Sequence, residues 1–221
     1  MPVGRLAACA VLFVASILPV DAQRPTTHGR LFPPEDLGIL ESPDRDEWQQ
    51  PQRIMDALRI ADGSRVADIG AGGGWFTIRL AARVGPNGTV YAQDVQRQMI
   101  DSIRQRVANL GLANVETILG TVDDPHLPPA LDAVLVVDAY PQFGERREQR
   151  VPVLRRLAEA LAPHGRLGIV DFKLDGVGGP GPPIDERLDP AVVRDEAEQV
   201  GLRLLREETF LRYQYLLVFG F

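Results

Sequence analysis

Residues 66–75, Val66-Ala67-Asp68-Ile69-Gly70-Ala71-Gly72-Gly73-Gly74-Trp75, constrain this chain more than any other stretch. A short apolar run ends in an acid and passes through glycines at alternate positions. It then enters a helical pattern, Trp75-Phe76-Thr77-Ile78-Arg79-Leu80-Ala81-Ala82. That order predicts a strand, a tight turn and a helix start. The turn brings backbone close to a ligand, and the amides of the first helical turn have no intrahelical acceptor. A nucleotide-like molecule fits such a turn. An ordinary glycine-rich connection in an α/β domain is the other reading of these residues alone.

The spacing narrows the ligand. A dinucleotide fingerprint, Gly-x-Gly-x-x-Gly counted from Gly70, needs its third glycine at position 75, where the chain has Trp75. The order Asp68-x-Gly70-x-Gly72-x-Gly74 instead resembles the first motif of class I S-adenosylmethionine-dependent methyltransferases. S-adenosylmethionine has no pyrophosphate to set on a helix dipole, so close backbone contact matters more than anion binding. The resemblance spans residues 46–221. It implies a Rossmann-like, doubly wound α/β fold with a mostly parallel seven-stranded sheet and an antiparallel last strand. It also implies S-adenosylmethionine as cofactor, with Asp68, Gly70, Ala71, Gly72 and Gly74 around it.

Later segments supply further expectations. Residues 89–95 read as a strand ending in Asp94-Val95, about 20 residues beyond the last motif glycine, which suits an acid gripping ribose hydroxyls. A carboxylate accepts from both hydroxyls at once. Asp94 as N-cap of the following helix is the competing reading. That helix, residues 96–110, has Met99, Ile100, Ile103, Val107 and Leu110 on one face. After a third strand at 115–120, the resemblance places an acid near the adenine. Thr121 occupies the position where the family often has one, so the contact is left among Val122, Asp123 and Asp124, with Asp123 preferred.

Residues 131–137 form the Val/Leu run of a strand buried on both faces. Asp138 and Tyr140 follow at its carboxyl end, the rim where open α/β sheets hold ligands. Asp138 is the first candidate for a base and Tyr140 the second, as an orienting hydroxyl or an aromatic wall. Lys173 is a weaker substrate-contact candidate at the next strand end. A helix at 146–161, a proline-glycine turn with an exposed His164, a glycine- and proline-rich loop at 173–190, a helix at 190–200 and a closing hairpin complete the pattern. The loop is expected at the same rim, as a connector or as a gate over substrate.

Before the domain, residues 23–45 read as an extended polar arm, part of which folds over the ligand. The next helical pattern is broken by Pro51, which is expected to open the main helix. Trp48 is expected in the core, with a lid as the alternative. Residues 1–22 read as an export signal, Arg5 before an apolar run and small residues at Val20 and Ala22, with cleavage after Ala22. A periplasmic or secreted protein without stable membrane insertion follows, and an uncleaved anchor is the alternative.

Composition removes several classes of function. The 221 residues suit one α/β domain, and a net charge of -6 disfavours a nucleic-acid surface. Cys9, the only cysteine, lies in the predicted signal, and His28, His126 and His164 have no ligand spacing, so no metal site is expected. The expected partner is a small-molecule substrate. Three functions remain in play: a methyltransferase, an exported cofactor-binding protein without turnover, and a nucleotide-dependent oxidoreductase on the related fold.

Overall fold

A computed structural model describes Met1, residues 31–175 and residues 179–221. The export signal and its cleavage point lie outside the described residues. Seven strands form one sheet: β1 (Arg65–Ile69), β2 (Thr89–Asp94), β3 (Val115–Leu119), β4 (Leu131–Val137), β5 (Leu161–Phe172), β6 (Arg203–Glu208) and β7 (Gln214–Gly220). Their order is β3-β2-β1-β4-β5-β7-β6. The first five pair in parallel, and β7 runs antiparallel between β5 and β6. The closing pair is the expected hairpin, with β6 rather than β7 at the edge. From β1 the chain winds outward through β2 and β3, then crosses back to β4 on the other side. The crevice beyond the ends of β1 and β4 is therefore the switch point of the sheet.

Two-residue periodicity divides the core. Ala67, Ile69, Val134, Val136, Leu217 and Phe219 join one buried cluster with α5 (Arg147–Ala160) and α6 (Pro190–Gln199). Val66, Ala133, Leu135, Leu216 and Val218 join the other, with α2 (Pro51–Ala57) and α3 (Trp75–Val84). Strands buried on both sides read as continuous apolar runs, as β4 does. The second cluster is tight at Gly168, where an added Cβ meets Leu58 Cδ1 at 2.7 Å. Gly168→Ala is expected to cost about 1–3 kcal/mol by overpacking, read as a lower urea midpoint at unchanged m.

Before the sheet, α1 (Arg45–Gln49) and α2 are separated by Gln50 in a left-handed conformation (φ 47°), with Pro51 opening α2. Proline at a helix start gives up an amide that had no intrahelical partner. The polar arm is not extended throughout, because Pro34–Glu41 winds into a 3-10 helix.

Candidate active site

The glycine turn is held at both ends. Gly70, Gly72 and Gly74 have φ of 65°, 54° and 81°, and the Ala71 amide donates to Gln93 O at 3.0 Å. At Gly70 the conformation is doubly required, since a Cβ there meets Ala139 Cβ at 2.6 Å. Gly74 is the N-cap of α3.

Asp94 fastens the turn to the second strand. One carboxylate oxygen accepts from the Gly72 amide at 3.0 Å and the other from the Gln96 amide at 2.9 Å. Asp94 is not the N-cap of α4 (Arg97–Asn109), a position held by Gln96, but it accepts the Gln96 amide just before that helix and lines the crevice. Burial pushes its pKa up, against the pull of these amides.

The crevice is an open cleft lined by the glycine turn, the ends of β1, β2 and β4, and the loop after β3. Asp68, Gly70, Ala71, Gly72, Asp94, Val95, Val122 and Asp138 all line it. Gly74 does not, and Gly73 takes its place at the surface. The loop after β3 is also corrected. Asp123 is exposed and absent from the lining, and Asp124 is spent on its own turn, accepting from Thr121 N at 2.8 Å through its carbonyl. Thr121, Val122 and Pro125 present that loop to the cleft instead.

Asp68 is buried, with the Thr77 hydroxyl donating to Oδ2 at 2.6 Å. Burial raises its pKa to about 6 from 3.8. Between those values the folded chain binds a proton that the unfolded chain releases, so this group's contribution to stability is lost as pH rises through 6. Thermal stability is expected to fall from pH 5 to pH 7.5, and Asp68→Asn is expected to shrink that difference.

Asp138 sits just past β4 with φ 56°, its amide donating to Val170 O at 2.9 Å. Asp tolerates this left-handed conformation better than most side chains, and it turns the carboxyl out of the strand. Gln49 Nε2 donates to Oδ2 at 3.3 Å, Gln214 Nε2 donates to Oδ1, and Arg45 approaches Oδ2 at 3.9 Å. Burial nevertheless raises its pKa to about 6, more than Arg45 and the two amides lower it. Asp138 also lines a second cleft, together with Trp48, Asp171, Phe172 and Tyr213.

Tyr140 is corrected. It is fully buried, absent from both cleft linings, and donates its hydroxyl to Glu196 Oε2 at 2.7 Å. Glu196 also pairs with Arg150. Lys173 is likewise engaged elsewhere, donating through Nζ to Leu211 O at 2.7 Å. Trp48 is half-buried on the rim, 6.1 Å from the Phe172 ring and 6.4 Å from that of Tyr213, so it walls the second cleft instead of anchoring the core.

Arg45 is the residue that sequence reasoning missed. It lines both clefts, lies 4.2 Å over the Trp75 ring and donates from Nε to Gln49 Oε1 at 2.6 Å. Arg79 covers the same ring at 3.5 Å and is gripped by both oxygens of Asp46. Trp75, which breaks the dinucleotide fingerprint, is thus the surface on which α1 docks. The arm adds Leu31, Phe32, Leu37 and Glu41 to the lining of the first cleft.

Residues 66–165 match the model of a methyltransferase domain. The structure of a SAM-dependent methyltransferase from Aquifex aeolicus superimposes with a TM-score of 0.77 at 27% identity, covering 85% of this chain and 98% of that one. The fold is the Rossmann-like fold of such methyltransferases. Nocamycin O-methyltransferase of Saccharothrix syringae is 31% identical over 133 residues, which are 60% of this chain and 43% of that protein. Demethylmenaquinone methyltransferase of Listeria monocytogenes serotype 4a is 29% identical over 135 residues, 60% of this chain and 54% of that protein. The chain spans about half the length of these curated relatives.

The cofactor of the domain is S-adenosylmethionine, and the residues present fit it. The turn approaches β4 too closely for a side chain at Gly70, leaving backbone facing the cleft. The Asp94 carboxylate has a lone pair left on each oxygen after its two amides. Asp94 would hold the ribose, and Val122 with Pro125 would pack against the base.

Proposed function

We propose that this chain transfers the methyl group of S-adenosylmethionine to a small-molecule acceptor held in the second cleft. One observation carries the reading: Asp138 and Arg45 line both clefts, so a carboxylate stands where the cofactor and acceptor chambers meet. The names of the Saccharothrix and Listeria relatives, which refer to nocamycin and demethylmenaquinone, support a small-molecule acceptor.

When bound, the cofactor supplies an electrophilic methyl carbon. The protein's work is then to align the acceptor, exclude water and take a proton. Asp94 and the glycine turn hold one partner. Trp48, Phe172 and Tyr213 form an apolar wall for the other. Asp138, with a pKa near 6, is ionised at neutral pH and still basic enough to accept a proton from the acceptor. Turnover is expected to rise with pH through an apparent pKa near 6 and then level off. Asp138→Ala is expected to lower kcat by about 100-fold or more. A flat profile between pH 5 and 8 would remove Asp138 from the role of base.

The direct test is calorimetric titration with S-adenosylmethionine, S-adenosylhomocysteine and NAD. Saturable binding of the first two alone supports the proposal, and no binding of either defeats it.

Export belongs to the same proposal. The signal reading of residues 1–22 gives a mature chain beginning at Gln23, outside the compartment where the cofactor is made. N-terminal sequencing of the protein from a periplasmic fraction tests it, and an intact Met1 in the cytoplasm would refute it.

A further inference from the structure

The second cleft holds a carboxyl that the mechanism above does not use. Asp171 ends β5 one strand over from Asp138, is 3% exposed, and lines this cleft but not the first. Its Oδ1 accepts from the Phe172 amide at 2.7 Å, while Oδ2 is buried and meets no hydrogen-bond donor among the described residues. A buried oxygen without a donor is costly, and an N–H donor on a ligand in this cleft would satisfy it.

The surroundings define that group. Six of the residues lining this cleft are carboxylates and two are guanidiniums, Arg45 and Arg212. Both cations are engaged, Arg45 at 3.9 Å from Asp138 and Arg212 at 5.1 Å over the Tyr213 ring. Arg187, which reaches over Phe172 at 5.4 Å, donates to Pro182 O and Lys173 O. The Trp48 ring meets Phe172 and Tyr213 edge-on or tilted, and no guanidinium lies over it among the described residues. An aromatic corner set among carboxylates attracts a cation with N–H donors.

We propose that the acceptor is a small amine, bound as its ammonium form with Asp171 Oδ2 accepting an N–H and Trp48 walling the charge. This rests on the methyl-transfer reading and names its substrate class. One ammonium proton passes to the Asp138 carboxylate, the base assigned above, which frees the nitrogen lone pair while Asp171 holds a second N–H. That pair forms the new N–CH3 bond, the methyl–sulfur bonding pair returns to sulfur, and the product leaves as the methylated ammonium. Burial and the neighbouring Asp138 raise the Asp171 pKa, and an ammonium held at Oδ2 would draw it back down and keep the carboxylate ionised.

Three probes with one ring and different heads test the assignment: tryptamine, tryptophol and indole-3-acetate. Each is titrated into the full chain saturated with S-adenosylhomocysteine. Tryptamine is expected to bind at least tenfold more tightly than tryptophol, with the acetate weakest. Asp171→Asn is expected to bring tryptamine and tryptophol within about twofold of each other while S-adenosylhomocysteine still binds as in the parent. Trp48→Leu is expected to weaken tryptamine more than tryptophol. Equal affinities for the three heads, or a preference for the acetate, would overturn the amine assignment and leave methyl transfer standing. Failure of S-adenosylhomocysteine to bind the parent chain would overturn both.

Discussion

Glu196→Ala is expected to destabilise the chain by about 3–5 kcal/mol, because it strips the partner from a buried cation. Glu196 is fully buried; it pairs with the guanidinium of Arg150 and accepts the Tyr140 hydroxyl. Arg150 keeps only the carbonyls of Gly144 and Glu145 once that carboxylate is gone. In a chain of this size the loss corresponds to a melting temperature lower by roughly 6–20 °C. The effect should reach the first cleft, since Tyr140 opens the 3-10 turn Tyr140–Phe143, whose Gln142 and Phe143 line it. Weaker S-adenosylhomocysteine binding is therefore expected alongside the lower melting temperature. Glu196→Gln, which keeps the shape and an acceptor, should fall between the two. An unchanged melting temperature for the alanine variant would mean that water satisfies Arg150 and that this triad is not structural.

That triad also marks a limit of the sequence. Tyr140 stands two residues beyond Asp138 at a strand's carboxyl end, a position that points to catalysis when only chain order is visible. Its partner Glu196 is 56 residues away on α6 and carries no signal of its own. Periodicity in the chain reveals which face of an element is apolar, but not which polar side chain on another element reaches it. The same limit hid Arg45, whose role depends on α1 folding back against Trp75. It also misplaced Asp123, because the Thr121–Asp124 turn spends its hydrogen bonds on itself and leaves Val122 at the cleft. Local features were legible. Most strands and helices from residue 65 onward fall within a few residues of their expected places, since alternating buried runs and glycine or proline breaks are set by neighbours in sequence; β5 is the exception, beginning at Leu161 and taking in the 162–165 stretch expected as a turn. The kink at Pro51 was legible for the same reason.

Asp94→Ala is expected to weaken S-adenosylhomocysteine binding by about 100-fold, in line with losing hydrogen bonds to a charged acceptor worth about 1.5–3 kcal/mol each. Two effects contribute. The carboxylate would no longer meet the ribose hydroxyls, and the amides of Gly72 and Gln96 would lose their acceptor, loosening the turn. A double-mutant cycle separates them. The 2′-deoxy analogue of S-adenosylhomocysteine is expected to bind the parent chain about tenfold more weakly than the full ligand, and to bind Asp94→Ala no more weakly than the full ligand does. If the variant still discriminates against the deoxy analogue, the hydroxyl is held elsewhere, and the affinity lost at Asp94 belongs to the turn alone. If discrimination disappears, one carboxylate performs both tasks. The distance from glycine turn to acid would then be fixed by two requirements, an amide on the protein side and a hydroxyl on the ligand side, which explains why the turn and the end of β2 are so readable together in the sequence.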